Sequence, residues 1–419
     1  MFSFRTPHSA FATPHFFMSV SATLNHAAQV LASLGADQRA DTALRLHFEA
    51  HRYLQPVARR AITQGVFAYF RWHGWLDPKA SPQKRLAHAA TLHARFAADP
   101  KSVKPEALAA RAVPGWLADE MDQIPVEWLR QLQRDPALWL RARPGTGAAL
   151  AKSLFACEPA SAAVHSSLFR VRTSAEATVN HEPTTVNLSD ALRFTGTQDL
   201  FKTEQFKTGE FEIQDLASQL VGFACAPRPG ENWWDACAGE GGKTLHLADL
   251  MANQGVVWAT DRSARRLDTL RRRFARAKLF NYRTGLWAGG PKLPTKQNFD
   301  GILVDAPCSG VGTWQRNPHA RWTVTPDDVG ELAATQRSLL DHVAGSLKPG
   351  GRLVYAVCTL TRRETTAVAA DFTAAHPELE PSPVFAATAA TPALATAVTF
   401  WPHELNANGM FIAAWRRKT

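Results

Sequence analysis

Residues 232–261 read NWWDACAGEGGKTLHLADLMANQGVVWATD, and the order of features in this stretch decides the fold. The apolar run from Asn232 to Cys237 breaks into the glycine-rich turn Ala238-Gly239-Glu240-Gly241-Gly242-Lys243. Glycine permits the unusual backbone angles, and the close approach of backbone to a ligand, that such a turn needs. A helical stretch from Lys243 to Met251 follows, then a second apolar run, VVWAT, that ends in Asp261. An acid about 20 residues beyond such glycines is placed to accept hydrogen bonds from ribose hydroxyls, so this order predicts a nucleoside cofactor. The turn is not a triphosphate loop, because the GxxxxGK[ST] spacing would put a glycine where Cys237 stands. A dinucleotide and S-adenosylmethionine both remain open from this stretch alone.

The alternation continues downstream. A basic helix is expected from Ser263 to Lys278, then the strand GILVDA ending at Ala306. A long helix follows, capped by Thr325 with Pro326 at its first position, its apolar face formed by Val329, Leu332, Leu339, Leu340 and Val343. Lys348 to Gly351 stops it, and the strand RLVYAV comes next. Strands and helices in strict turn predict a doubly wound parallel sheet. Two of its strands open into cysteines, Asp305-Ala306-Pro307-Cys308 and Cys358-Thr359, at the carboxyl ends where open α/β sheets bind ligands. A lone cysteine there reads as a small buried hydrophobe, whereas two beside an acid and a nucleoside site point to thiolate chemistry.

Upstream the text changes. Residues 1–18 read as a disordered tail or an over-called start, 19–134 as an all-helical domain of nucleic-acid-binding type, and 135–205 as a small α+β domain with strand-like runs LWLRAR and SLFRVRTSA. The sheet domain occupies 206–419. In the helical part Leu24, Ala27, Ala28, Leu31 and Leu34 share a face with Gly35 as a stop, and a second helix carries Val57, Ile62, Val66 and Phe70. Phe67, Tyr69, Phe70, Trp72 and Trp75 either stack bases or fill a core, and helical spacing favours the core. A formal net charge of +10 fits a polyanionic partner or simply a soluble basic surface. The five cysteines, at 157, 225, 237, 308 and 358, lack CxxC or Cys/His spacing for zinc, so reduced thiols in a cytoplasmic, metal-free monomer are expected. No apolar run reaches the roughly 18 residues of a membrane span.

Longer motifs narrow this reading. Phe206 to Gly209, Gln214-Asp215 with Ser218-Gln219, DACAGEGGKTLHLA, DAPCSGVGTWQRNPHARW, LKPGGRLVYAVCT and a closing GMFIAAW occur in order. Together they resemble the RsmB/Nop/Sun family of S-adenosylmethionine-dependent RNA (cytosine-5) methyltransferases. The resemblance covers about 206 to 417 and implies a Rossmann-like class I methyltransferase domain. WLRARP more loosely resembles the entry to the family's middle domain, and the helical region resembles the RNA-binding extension of bacterial members. It implies S-adenosylmethionine as cofactor, held by Cys237, Ala238, Gly239, Glu240, Gly241, Gly242, Lys243, Asp261 and Asp305. The implied partner is RNA, with ribosomal RNA first, on a cytosine that is single-stranded or flipped. Transfer RNA, and a catalytically weak assembly factor that only binds RNA, are the alternatives.

The chemistry agrees with elementary reactivity. C5 of cytosine is a poor nucleophile until a thiolate adds at C6, after which C5 can attack the methyl sulfonium. In the family the attacking thiol maps to Cys358 while Cys308 assists release; DNA-type enzymes use the PC cysteine, which would make Cys308 the attacker. Asp305 is expected at the cytosine N3 edge. Lys243 either lowers a cysteine pKa or is a solvated helix-start lysine. The sequence departs from the family in four places. Gly239-Glu240 stands for Ala-Pro, AKLFNYRTGLWAGG has no acid for the adenine amino group, Thr359 replaces Ser, and Thr365 replaces the Asn beside Glu364. The basic run Arg262, Arg265, Arg266, Arg271, Arg272, Arg273, Arg276 and Lys278 either meets RNA phosphates or forms a solvated face. Trp314, Arg316, Pro318, Arg321 and Trp322 are placed to reach a flipped base or its flanks, while packing beneath the active-site loop explains Trp322 equally well.

Overall fold

A computed structural model describes residues 19–35, 39–160, 188–385 and 395–419. The expected tail at 1–18, the strand-like run SLFRVRTSA and most of the Ala/Thr/Pro-rich loop near 385–397 lie outside the described residues. The chain forms two compact units that divide between Ser102 and Val103.

The first unit is helical, with helices Val20–Ala32, Ala40–Ala50, Pro56–Arg71 and Pro82–Ala98. Ser19 and Ser81 cap the first and last through bonds from Ala22 N and Lys84 N, and Pro56 and Pro82 start theirs in first-turn positions. The first helix ends at Ala32 with Ser33 as its cap, so Gly35 lies beyond the stop assigned to it. Ala40–Ala50 was not foreseen from the sequence. Trp72 is fully buried, edge-on to Trp75 at 5.0 Å and Phe96 at 5.5 Å, and Tyr69 and Phe70 are also buried. The aromatic cluster is core, as helical spacing favoured.

The second unit opens with the helices Pro105–Arg111, Leu117–Glu120 and Val126–Gln131, which pack with the residues that follow them. This corrects the expected 19–134 helical domain. Periodicity announces a helix without naming its partner, and here the partner is Arg321. Its fully buried guanidinium donates to Ala112 O at 2.9 Å and Leu132 O at 3.0 Å. Next comes an antiparallel sheet, β2-β3-β1-β4, of β1 Leu138–Ala142, β2 Cys157–Pro159, β3 Ala191–Phe194 and β4 Phe211–Ile213. Because β4 pairs with β1, this unit runs past the expected end at 205.

The large sheet contains β5 Asn232–Asp235, β6 Val256–Asp261, β7 Tyr282–Leu286, β8 Phe299–Asp305, β9 Leu347–Val357, β10 Leu379–Pro381, β11 Ala397–Phe400 and β12 Met410–Arg417. Its order is β7-β6-β5-β8-β9-β12-β10, with β11 also beside β12. The β7 to β9 portion is parallel and β12 is antiparallel to β9. Helices cover both faces, and strand residues alternate between two cores: Trp233, Leu303 and Val354 face one, Trp234, Ile302 and Tyr355 the other. The chain leaves β5 toward β6 and later returns to β8 on β5's opposite side. The crevice at the carboxyl ends of β5 and β8 is therefore the topological switch point, where such sheets bind ligands. Among the described residues no helix is long and apolar enough to cross a membrane.

Arg321→Ala removes the donors of two buried carbonyls and is expected to cost about 2–4 kcal/mol of stability. Exposed Arg316→Ala serves as the near-neutral control, and urea unfolding midpoints of both measure the difference.

Candidate active site

The glycine turn grows out of β5. Ala236 N bonds Leu303 O and Ala238 N bonds Thr260 O, which fixes the turn between its neighbours. Gly239 has φ +55° and Gly241 φ +84°. A Cβ on Gly241 would also lie 2.5 Å from Leu270 Cγ, so backbone and packing both require glycine there. Gly241 precedes the Gly242–Leu250 helix, whose first amides face the crevice unpaired within the helix. Gly239 N donates to Asp261 Oδ2 at 3.1 Å and Ser263 N to Asp261 Oδ1 at 2.8 Å, leaving each oxygen a further lone pair for a hydroxyl. Glu240 is exposed and its carbonyl accepts from Arg273 at 3.1 Å, so the turn forms without the family's Ala-Pro.

Lys243, on the first turn of that helix, reaches across to Asp305 at the end of β8 with Nζ to Oδ2 at 2.7 Å. It is not a solvated lysine: burial opposes its charge, but Asp305 and the nearby Cys358 sulfur outweigh this and hold the ammonium above its usual range. The loops after β8 and β9 bring Cys308 Sγ within 3.4 Å of Cys358 Sγ. The Cys308 hydrogen bond holds the Cys358 thiol below its ordinary range; burial and Asp305 oppose this, while Lys243 and Arg316 reinforce it. The same bond, burial and the charge of Glu364 push Cys308 well up. The asymmetry has a geometric origin, since the cations bear on Cys358 and the buried carboxylate on Cys308. The sequence left the two thiols unranked; the charges around them favour Cys358 as the thiolate.

Glu364 was noted in the sequence but given no role. It is fully buried, with a carboxylate that accepts from Ser309 N at 2.8 Å, Gln336 Nε2 at 3.1 Å, Thr361 Oγ1 at 2.7 Å, Thr359 Oγ1 at 3.1 Å and the Ser309 hydroxyl. Gln336 also donates to Pro307 O at 2.9 Å and accepts from Tyr355 OH at 2.9 Å. One carboxylate thus ties the Cys308 loop to the Cys358 loop. Thr359, which replaces the family's Ser, supplies the same hydroxyl. The signal for this role was an acid six residues past a strand-end cysteine, which sequence alone cannot tell from a surface acid.

The chain's residues fit S-adenosylmethionine better than a dinucleotide. Asp235, Asp305 and Asp261 all bear on the start of the turn, where, after burial, they push the Cys237 thiol up. Burial also raises Asp235 to about 7. Acid oxygens at the strand ends suit the hydroxyls and the ammonium of S-adenosylmethionine, and Lys243, the cation at the turn, is already held by Asp305. Where the family's adenine-binding acid is missing, buried Trp287 stands after β7, against Trp234 at 5.1 Å and bonded to Gly290 O.

Two sequence readings change. In the basic run, Arg273 and Arg276 turn inward to buried Glu212, Arg276 lies 4.0 Å over the Phe206 ring, and Arg271 pairs with Asp268 at 2.6 Å. Arg273 and Arg276 are committed to the protein, while Arg262, Arg265, Arg266, Arg271, Arg272 and Lys278 stay exposed. In the segment after Cys308, Trp314 and Arg321 are buried and out of reach of a base, because they dock the 105–131 helices. Arg316 is exposed and bears on Cys358.

Residues 223–416 match the family described as 16S rRNA methyltransferase RsmB/F. Over 181 residues the chain is 40% identical to the probable ribosomal RNA small subunit methyltransferase B of Bacillus subtilis, covering 43% of this chain and 40% of that protein. Over 230 residues it is 34% identical to ribosomal RNA small subunit methyltransferase F of Cronobacter sakazakii, covering 52% and 47%. The chain therefore spans about half the length, or less, of these relatives. Among solved structures, PH0851 superposes with a TM-score of 0.70 at 22% identity, covering 96% of this chain and 100% of that one, which shows a shared fold. A methyltransferase homologue from Pyrococcus horikoshii superposes at 0.53 with 26% identity, covering 70% and 90%. Residues 223–416, which carry the paired cysteines and the glycine turn, are thus similar to the RsmB/F methyltransferase family.

Proposed function

We propose that the chain methylates C5 of a cytosine in RNA, with structured ribosomal RNA as the substrate class, in the cytoplasm, through a covalent adduct of Cys358 at C6. The observation that carries this reading is the pair of thiols 3.4 Å apart at adjacent strand ends, with Lys243 and Asp305 beside them. The names of the relatives supply the ribosomal substrate class.

S-adenosylmethionine, when bound, supplies an electrophilic methyl group; the residues to hold it are the 237–243 turn, Asp261 and Asp305. Everything else falls to the chain. Lys243 favours the anionic sulfur of Cys358, which bonds to C6 and pushes an electron pair onto C5. Asp305 is assigned to the N3 edge of the base, where its carboxylate pairs with the ring once N3 has taken up a proton from solvent as sulfur adds. After C5 has taken the methyl group and a base has removed its proton, the C5–C6 double bond re-forms and the C6–S bond breaks. The departing Cys358 thiolate is received by the hydrogen bond from Cys308. Glu364 acts as a positioning residue, fixing both loops without touching the base. The target cytosine must be unstacked to expose C6 to sulfur.

Transfer of labelled methyl groups to unmodified ribosomal and transfer RNA tests the proposal. Cys358→Ala is expected to lose at least about 10³-fold in rate, as loss of a nucleophile does. Cys308→Ala is expected to accumulate a denaturant-resistant protein–RNA adduct on gels. The reverse pattern would exchange the two roles, methylation of transfer RNA alone would move the substrate, and binding of RNA without transfer by the wild type would leave an assembly factor.

The pH profile tests Lys243. The thiolate is the reactive form, so the rate rises with pH, and a depressed Cys358 pKa moves that rise to lower pH than an unperturbed cysteine would give. In Lys243→Met the rising limb is expected to move to higher pH; an unchanged limb would remove Lys243 from thiol activation.

A further inference from the structure

We propose that His26, His47 and His51 form a binding site for a divalent transition-metal cation of the zinc type, on the helical unit and independent of the methyl-transfer site. His47 and His51 are four residues apart, at the end of Ala40–Ala50 and at its C-cap, and so share one helix face. His26 comes from the middle of Val20–Ala32 and meets them, with its ring centroid 5.2 Å from that of His47 and 5.1 Å from that of His51. One potential ligand atom from each of the three rings lies within 4.8 Å of the others.

The hydrogen bonds assign the donor atoms. His51 Nδ1 lies 2.9 Å from His47 O, and a carbonyl can only accept, so Nδ1 carries the proton and the Nε2 lone pair is free. His26 Nε2 lies 3.4 Å from Tyr53 OH, and its Nδ1 faces His47 Nε2 at 3.0 Å. A carbonyl or hydroxyl on the remote ring nitrogen is the outer-shell arrangement that fixes the tautomer of metal-binding histidines. Zn–N bonds of about 2.0–2.1 Å in a tetrahedron place nitrogens roughly 3.4 Å apart. The His26–His47 separation is already within a few tenths of an ångström of that, and the three ligand atoms, all within 4.8 Å of one another, close on a metal with at most roughly 1.4 Å of ring movement. All three rings are half-buried, which leaves room for entry and for a water as fourth ligand. Imidazole donors suit zinc, copper and nickel.

The site escaped the sequence reading because that reading sought cysteine-based spacings, and His26 stands 21 residues from its partner. Its effect would be to clamp the first two helices of the unit.

The full-length chain, stripped by chelator, is titrated with Zn²⁺ alone and the bound metal counted after equilibrium dialysis. Wild type and Cys308→Ser/Cys358→Ser are expected to bind one Zn²⁺ per chain. His26→Gln, His47→Gln and His51→Gln, each first checked for folding by circular dichroism, are expected to bind at least about tenfold more weakly. Zn²⁺ is expected to raise the melting temperature of the wild type and not that of the folded variants. No saturable uptake by the wild type, uptake lost only with the thiols, or full uptake by every folded histidine variant would each overturn the proposal.

Discussion

The geometry of the site depends on one buried carboxylate. Glu364 has no water around it, and a carboxylate without solvent costs several kcal/mol unless donors replace the lost hydration. Five donors do so, three of them hydroxyls, and they come from both cysteine-bearing loops and from the Pro326–Ala344 helix. Because each donor also satisfies the acid, neither loop can drift without leaving charge unpaired in the interior. The 3.4 Å separation of the sulfurs follows from that constraint.

A second level of order is electrostatic. The acid that organises the loops lies on the Cys308 side, and the cations Lys243 and Arg316 act on the Cys358 side. Two chemically identical thiols thereby become unlike, one a better donor and the other a better anion. The glycine turn contributes a third, steric element: its φ angles and the packing of Leu270 leave no room for a side chain at Gly241.

Much of this was legible in the sequence because local rules govern it. The strand-turn-helix-strand order around Gly239 to Asp261, the Thr325 cap with Pro326 after it, and the strand-end cysteines all rest on short-range patterns. What was not legible depends on long-range pairing. Arg321 and Trp314 read as ligand-facing because arginine and tryptophan are common at such sites, yet their partners lie about 200 residues upstream. Arg273 and Arg276 read as a solvated or RNA-facing stripe because Glu212 is more than 60 residues away. His26, His47 and His51 met only once two helices had packed.

Arg321 also separates ancestry from autonomy. The stretch shared with the family begins at residue 223, but the guanidinium at 321 is saturated by carbonyls at 112 and 132. A recombinant fragment cut at that border would retain the glycine turn, both cysteine motifs and every strand of the large sheet, yet present a bare arginine and an uncovered indole to water. Exchanging catalytic cassettes between relatives therefore means carrying the 105–131 helices along with them, since the segment that holds the motifs is smaller than the unit that folds.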